Sequence, residues 1–479
     1  MKRYEEVAQA MRDRIAHGVY RVGDRLPSIR ELCREFGVSV STAQTAYGRL
    51  EDEALIEARP KSGYYLLPRN RPLQLPKVSL PEQQPLDVSQ WDQVLALINK
   101  PAMPGVVRLG RGTPDLKAPS LKPLTRLLGG SYRHRSGPRV LDYDALDGNI
   151  ELRRQVVQLV ANSGCFLHPD EVLITAGCQE ALSIAIRTLT DPGDVVAVDS
   201  PSFYGTMQSL KARDLKVLEI PTDPQTGISL DALEMALEQW PVRAIQVTPT
   251  CNNPTGYVMS NKRKRELLRL ARRFDVAIIE DDTYGDLAFD MPRPKTIKAF
   301  DDEGRVLLCS SVSKTLAPAL RVGWIAPGRY RDRAMYMKYV STAASATLPQ
   351  LAVADFIAKG HYDPHLRTMV RQYRNNRDAM LKWVRRYFPE GTAVSPPQGG
   401  FVLWVQLPAR VDCVRLNEQL KNVTIAPGSL FSASRKYRHC MRLNFASQLT
   451  DKIEAAVKTV GETATMMVAK DQVEREAAR

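Results

Sequence analysis

The chain has 479 residues, 44% of them apolar and 25% charged, which implies two or three globular domains and excludes a fibrous or disordered class. No run is long and apolar enough to span a bilayer, and the start, Met1-Lys2-Arg3-Tyr4, lacks the apolar core of a secretory leader, so no membrane role is expected. The net charge of +14 permits a polyanionic partner, but residues 1–70 hold twelve Lys/Arg against ten Asp/Glu, so the excess is spread over the whole chain.

The seven cysteines are scattered without a CxxC pair, the usage of a reducing cytosol, so a cytoplasmic location is expected. The six histidines lack metal-ligand spacing, and no metal site is expected.

Residues 1–68 read as a small winged helix. Tyr4, Val7, Met11 and Ile15 share one helical face. Ser28 with Glu31 forms a capping box that opens a second helix, whose Ile29, Leu32 and Phe36 face inward. After the turn Gly37-Val38-Ser39, a third helix runs from about Ser41 to Asp52 and buries Ala43, Ala46, Tyr47 and Leu50. Two helices joined by a short glycine turn are a helix-turn-helix. Leu55–Arg59 and Tyr64–Leu67 follow as two strands of a wing. The outer face of the third helix offers Ser41, Thr42, Gln44 and Thr45 to base edges, and Arg30, Arg59 and Lys61 can meet phosphates. The stretch Gly23-Asp24-Arg25-Leu26-Pro27-Ser28-Ile29-Arg30-Glu31-Leu32 resembles the GntR family of bacterial winged-helix regulators, which implies operator DNA as partner. Val40 departs from that pattern, standing where many relatives carry arginine.

Residues 69–90 contain Pro72, Pro76, Pro81 and Pro85 and read as an extended linker. From residue 91 to 466, apolar strands alternate with helical stretches: Val172–Ile174, Val195–Val198, Ala244–Val247, Val276–Ile279 and Val306–Leu308 are the strands. That alternation predicts an α/β fold, a mostly parallel sheet flanked by helices, with ligands at the carboxyl ends of the strands. Residues 467–479 read as a polar tail.

The loops after those strands carry the chemistry. Lys314 sits just past a buried strand, where partial desolvation makes an amine a nucleophile toward an aldehyde. Ser311 and Arg321 flank it and can hold a phosphate. Thr175-Ala176-Gly177-Cys178-Gln179-Glu180 presents backbone amides at a helix start, another phosphate cradle. A carboxylate at the end of the run Ile278-Ile279-Glu280-Asp281-Asp282 can keep a pyridine nitrogen protonated.

The segment Ser310–Arg321 closely resembles the pyridoxal-phosphate lysine box of the class I/II, fold type I, aminotransferases, and Asn252-Asn253-Pro254-Thr255-Gly256 resembles their NPTG turn. The resemblance implies that Lys314 forms a Schiff base with pyridoxal 5'-phosphate, and that Ser311, Arg321, Gly177, Cys178 and Gln179 take its phosphate. It implies that Phe203 stacks on the ring, with Tyr204 as a rival, that Asn253 and Tyr284 meet the phenolic oxygen, and that Asp281 pairs with the ring nitrogen. It further implies that Tyr143 reaches the phosphate of a partner subunit, hence a homodimer, and that Gly112 and Arg442 hold the substrate, the arginine by its carboxylate. Gln398–Trp404 and Met441–Phe445 are then a smaller C-terminal lobe.

A GntR winged helix, a proline-rich linker and an aminotransferase-like domain together resemble the MocR family of regulators. That implies a DNA-binding regulator sensing an amino acid, an amine or pyridoxal phosphate at Lys314. The alternative is a working aminotransferase, passing an amino group from an amino acid to a 2-oxo acid.

Overall fold

A computed structural model of the protein describes residues 3–17, 19–20, 23–52, 55–59, 62–66, 73–78, 83–88, 92, 94–95, 105–134 and 142–477. These divide into two compact units, Met1–Leu73 with Val384–Tyr387, and Gln74–Trp383 with Phe388–Arg479.

The first unit holds α1 (Arg3–Ala16), α2 (Ile29–Phe36) and α3 (Val40–Asp52), then β1 (Ile56–Arg59) antiparallel to β2 (Gly63–Leu66). Both halves of the Ser28–Glu31 capping box form, and Gly37 closes α2 with φ 61°, a conformation glycine adopts without a Cβ penalty. Val7, Met11, Leu32, Ala43, Ala46, Tyr47 and Leu50 are buried in one core, with Ile29 and Phe36 packed at its edge. The Tyr47 hydroxyl donates to the carbonyl of Pro27 at 2.7 Å, which ties α3 to the start of α2. The third helix begins at Val40, because the Ser39 hydroxyl accepts from the Thr42 amide and acts as the cap.

The second unit is built on an eight-stranded sheet: β3 (Leu173–Thr175), β4 (Val195–Ser200), β5 (Lys216–Asp223), β6 (Gly227–Ile228), β7 (Val242–Val247), β8 (Ala277–Asp281), β9 (Val306–Ser311) and β10 (Gly323–Ala326). Their order is β3-β10-β9-β8-β7-β4-β5-β6. Only β10 and β6 run antiparallel to their neighbours, so β3, β4, β7, β8 and β9 all end on the same edge. Strand β4 is buried throughout, as a sheet covered on both faces requires. The covering helices include α4 (Cys178–Leu189) and α5 (Asn261–Arg273). A longer helix, α6 (Tyr362–Tyr387), leads toward the smaller lobe, which the sequence reading did not delimit. That lobe is an antiparallel sheet of β11 (Ala393–Ser395), β12 (Val402–Gln406), β13 (Ala426–Pro427) and β14 (Cys440–Asn444). A final helix spans Asp451–Ala477 without a break at residue 466.

Part of the expected extended linker at 69–90 lies along the sheet of the second unit. Leu86 pairs with Val217 through two backbone hydrogen bonds of 2.8 Å beside β5, and Val88 is buried. Proline favours an extended backbone, and here Leu86 uses that extension to form an isolated antiparallel bridge to Val217. Another tie is made by Glu219 of β5. Its carboxylate accepts from the hydroxyls of Ser200, Ser432 and Ser434 and from the amide of Ala433, at 3.3, 3.0, 2.7 and 3.0 Å.

Candidate functional site

The turns after β3, β4, β7, β8 and β9 meet around a cavity of about 130 Å³ lined by Cys178, Gln179, Phe203, Asn253, Asp281, Tyr284, Ser311, Lys314 and Arg321. Each stands where a strand ends or a helix begins, so rigid elements position it.

Lys314 follows β9 by three residues and is half-buried. Its Nζ donates to the carbonyl of Gly112 at 2.6 Å. Burial, aided by the positive charge of Arg442 and opposed by Asp281, pulls its pKa down to about 8. Three adjacent acids end β8, and alternation along the strand separates their roles. Glu280 accepts from the amides of Ile297 and Lys298 at 2.7 and 3.0 Å. Asp282 pairs with Arg293 at 2.5 Å. Asp281 alone faces the cavity, accepting from the Thr283 amide at 3.0 Å and from Cys178 Sγ at 3.5 Å. Burial raises its pKa, and the charge of Lys314 works against that rise.

Gly177 leads into α4 with φ 84°, and a Cβ there would fall 2.6 Å from the Arg321 guanidinium. Close approach of the same kind holds the strands together: a Cβ on Gly323 would lie 2.6 Å from the Gly177 carbonyl carbon. The first amides of α4 have no intrahelical acceptor and face this corner. Ser311 Oγ accepts from the Ser313 amide at 3.3 Å beside them. Phe203 lines the cavity, whereas Tyr204 packs behind it with ring centroids 4.7 Å apart. Tyr284 Oη is buried and has no hydrogen-bond partner among the described residues.

Arg442 is fully buried on β14. It donates to Asn253 Oδ1 at 2.9 Å and to the Gly110 carbonyl at 2.7 Å, while its Nε has no partner among the described residues. Its guanidinium carbon lies 5.1 Å from the Phe431 ring centroid. Among the described residues no carboxylate comes within ion-pair distance of it. A Cβ on Gly112 would lie 3.7 Å from that guanidinium and from Tyr284 Oη. Tyr143 is not brought to this cavity. It is 86% exposed and lines a separate hollow with residues 344–349.

In the first unit Ser41, Gln44, Thr45 and Arg30 are exposed and Thr42 is half-buried. Ser41 and Thr42 hydroxyls lie 2.9 and 2.8 Å from Ser39 Oγ, and Thr45 donates back to the Ser41 carbonyl at 2.8 Å. Arg59 pairs with Glu57 at 2.8 Å and covers the Tyr65 ring, which reduces what it has to offer a phosphate. Lys61 lies outside the described residues.

The family Aminotransferase class I and II matches residues 104–460, and the gntR family of bacterial regulatory proteins matches residues 3–66. The chain belongs to the MocR-type regulators. It is 47% identical over 96% of its length to the uncharacterized HTH-type transcriptional regulator YjiR of Escherichia coli, covering 98% of that protein. It is 29% identical to the probable rhizopine catabolism regulatory protein MocR of Rhizobium meliloti, over 91% of this chain and 87% of that one. Among solved structures, LysN of Thermus thermophilus, an α-aminoadipate aminotransferase complexed with N-(5'-phosphopyridoxyl)-L-leucine, matches with a TM-score of 0.72 and 25% identity over 79% of this chain and 95% of that one. A MocR-type regulator thus combines a DNA-binding domain with an aminotransferase fold. Among its described residues no helix is long and apolar enough to cross a membrane.

Three wall or support residues escaped the sequence reading. Ser313 and Thr283 line the cavity but are ordinary loop residues. Asp199 lies behind it, accepting from Asn252 Nδ2 at 2.7 Å and Tyr257 Oη at 3.3 Å, and so steadies the turn that carries Asn253. Its place at the end of β4, one step from the cis-linked Ser200-Pro201, was the available signal.

Proposed function

We propose that this regulator holds pyridoxal 5'-phosphate on Lys314 and senses a small amine or amino acid there, acting as a homodimer on operator DNA. The cavity fits the cofactor. The α4 amides from Gly177 to Gln179, the hydroxyls of Ser311 and Ser313, and Arg321 would hold its phosphate. Phe203 would support its ring, Asp281 would pair with the ring nitrogen and Asn253 would serve the phenolic oxygen. The unpartnered Tyr284 Oη supports this fit most directly, because a buried hydroxyl without a partner is costly unless a ligand satisfies it. When bound, the cofactor supplies an aldehyde that captures amines and a conjugated ring that reports the capture as colour.

The chain's own residues then do the sensing. Lys314 offers an amine that is partly neutral near pH 8. Asp281 would keep a proton on the ring nitrogen. Arg442, a buried cation without a carboxylate, favours a ligand that brings one. That observation carries the effector reading. Tyr143 fits the role of a group supplied to the other subunit, since it is exposed and does not line its own cavity. A ligand favouring one of two conformations shifts how the DNA-binding domains engage half-sites.

The test is the visible spectrum of the protein during titration with amino acids and amines, alongside DNA binding. The expected result is a stable spectral shift with one ligand that also changes DNA affinity. Catalytic accumulation of a keto acid, with DNA affinity unchanged, would make the chain an aminotransferase instead.

A further inference from the structure

Helix α6 carries His365, Gln372, Tyr373 and Asn376 at i, i+7, i+8 and i+11, which is one helical face. Gln372 Nε2 donates to the Asp115 carboxylate at 2.9 Å and to the Ala446 carbonyl at 3.1 Å. Tyr373 Oη accepts from the Asp115 amide at 3.2 Å. Asn376 Nδ2 donates to the carbonyls of Phe445 and Ser447 at 2.7 and 2.9 Å. The start of the helix is pinned by Tyr362, whose hydroxyl donates to Asp286 at 2.8 Å. This face therefore holds the segment that follows Gly112 and the one that follows Arg442. His365 holds a third, the turn of Lys314. It is 1% exposed. Its Nε2 lies 2.7 Å from the Thr315 carbonyl and its Nδ1 2.7 Å from Ser120 Oγ. A carbonyl only accepts, so Nε2 carries the hydrogen and Nδ1 accepts from the Ser120 hydroxyl. The ring stands edge-on to Phe356, with centroids 6.3 Å apart. Burial pulls its pKa down, against the Thr315 bond, and favours the neutral ring.

We infer that His365 is a positioning residue for Lys314, clamping from one buried ring both the backbone that carries the amine and the segment that receives it. The inference rests on the reading of Lys314 as the cofactor-holding lysine. Thr315 is the next residue in the chain, so the bond to its carbonyl fixes where the Lys314 side chain starts. Ser120 lies on the segment that begins at Gly112, whose carbonyl accepts from Lys314 Nζ at 2.6 Å. Without the imidazole donor the buried Thr315 carbonyl must turn toward another, because an unpaired buried carbonyl is costly. The amine then loses its fixed approach to Gly112 and gains contact with water. His365 acts through Thr315 and Ser120 alone.

The test uses the full-length apo-protein with pyridoxal phosphate as probe. Capture is followed by stopped flow across pH, and borohydride reduction shows that the adduct is on the protein. His365→Gln keeps a donor at the Nε2 position and is expected to hold the capture midpoint within about 0.3 pH units of the wild type. His365→Asn reaches only toward Ser120, and His365→Ala reaches neither partner. Both are expected to move the midpoint up by about one pH unit and to slow capture at pH 7 about tenfold, as the amine gains water. Asp281, Cys178, Arg321 and Arg442, which act on the charge of Lys314, are unchanged in all three variants. Equal midpoints for the wild type and every variant overturn the inference and leave Lys314 as the cofactor lysine. An equal upward shift in all three reduces His365 to packing and also overturns it. If His365→Ala fails to fold, Gln against Asn decides, and equal midpoints for those two overturn it. A wild type that forms no borohydride-fixable adduct overturns the cofactor reading, and this inference with it.

Discussion

Arg442 Nη1 donates to Asn253 Oδ1 at 2.9 Å, with both groups buried. The bond joins β14 of the smaller lobe to the turn after β7, whose Asn253 lines the cavity. A ligand carboxylate arriving at Arg442 therefore competes for the guanidinium that Asn253 holds. Carboxylate recognition and the setting of that turn become one linked equilibrium. Arg442→Lys keeps the charge but loses the fork. Affinity for carboxylate-bearing amines is expected to fall about 50-fold, and affinity for the matching decarboxylated amines to stay within about twofold. Equal losses for both ligand classes in a spectral titration would remove Arg442 from carboxylate recognition.

The depressed pKa of Lys314 predicts a pH profile for cofactor capture. Its amine titrates near pH 8 in the folded protein. The neutral fraction then rises about tenfold between pH 7 and pH 9 and levels off above. Stopped-flow capture of pyridoxal phosphate by the apo-protein is expected to follow that curve. A rate still climbing log-linearly at pH 10 would mark an ordinary solvated lysine. Lys314→Ala is expected to leave no borohydride-fixable adduct.

Asp199 gives a stability prediction with a definite sign. Burial pushes its pKa up to about 7, so the folded state retains a proton that the unfolded state releases near pH 4. Between those values the folded state binds more protons, and stability declines as pH rises, by at most about 1.4 kcal/mol per pH unit from this group. Asn at position 199 can still accept from Asn252 and Tyr257, and its NH₂ replaces an Oδ1 that has no partner. Asp199→Asn is expected to gain on the wild type from pH 4 to 7, the gain staying constant at higher pH. Parallel urea midpoints for the two proteins across that window would refute the assignment.

Arg30 is exposed in the first turn of α2. Arg30→Gln is expected to weaken DNA binding across all sequences and to flatten the salt slope by about one, with the cofactor spectrum unchanged. A sequence-selective loss measured on competing duplexes would place Arg30 at a base edge instead.

The loops that line the cavity were legible because Asn253, Asp281 and Lys314 each follow a short apolar run, and a parallel sheet sends such run-ends to one edge. The choice among Glu280, Asp281 and Asp282 rested on family spacing until strand alternation and the partners Ile297 and Arg293 separated them. The docking of Leu86 was hidden because four prolines dominate the composition around it, while two apolar residues decide its fate. Helix α6 was not delimited, since most of its exposed face is charged and only positions such as Met369, Tyr373 and Met380 are buried. Ser313, Thr283 and Asp199 gained meaning only from what surrounds them.

Glu219 shares one carboxylate among four donors, and that ratio makes its neighbourhood unequally tolerant of mutation. Losing any single serine removes one donor and leaves the carboxylate three others. Losing the carboxylate removes the acceptor shared by three hydroxyls and an amide at once, even though Ser200 keeps Tyr437 and Ser432 keeps Ser434. Genetic variation is therefore expected to accumulate at Ser200, Ser432 and Ser434 well before position 219 yields.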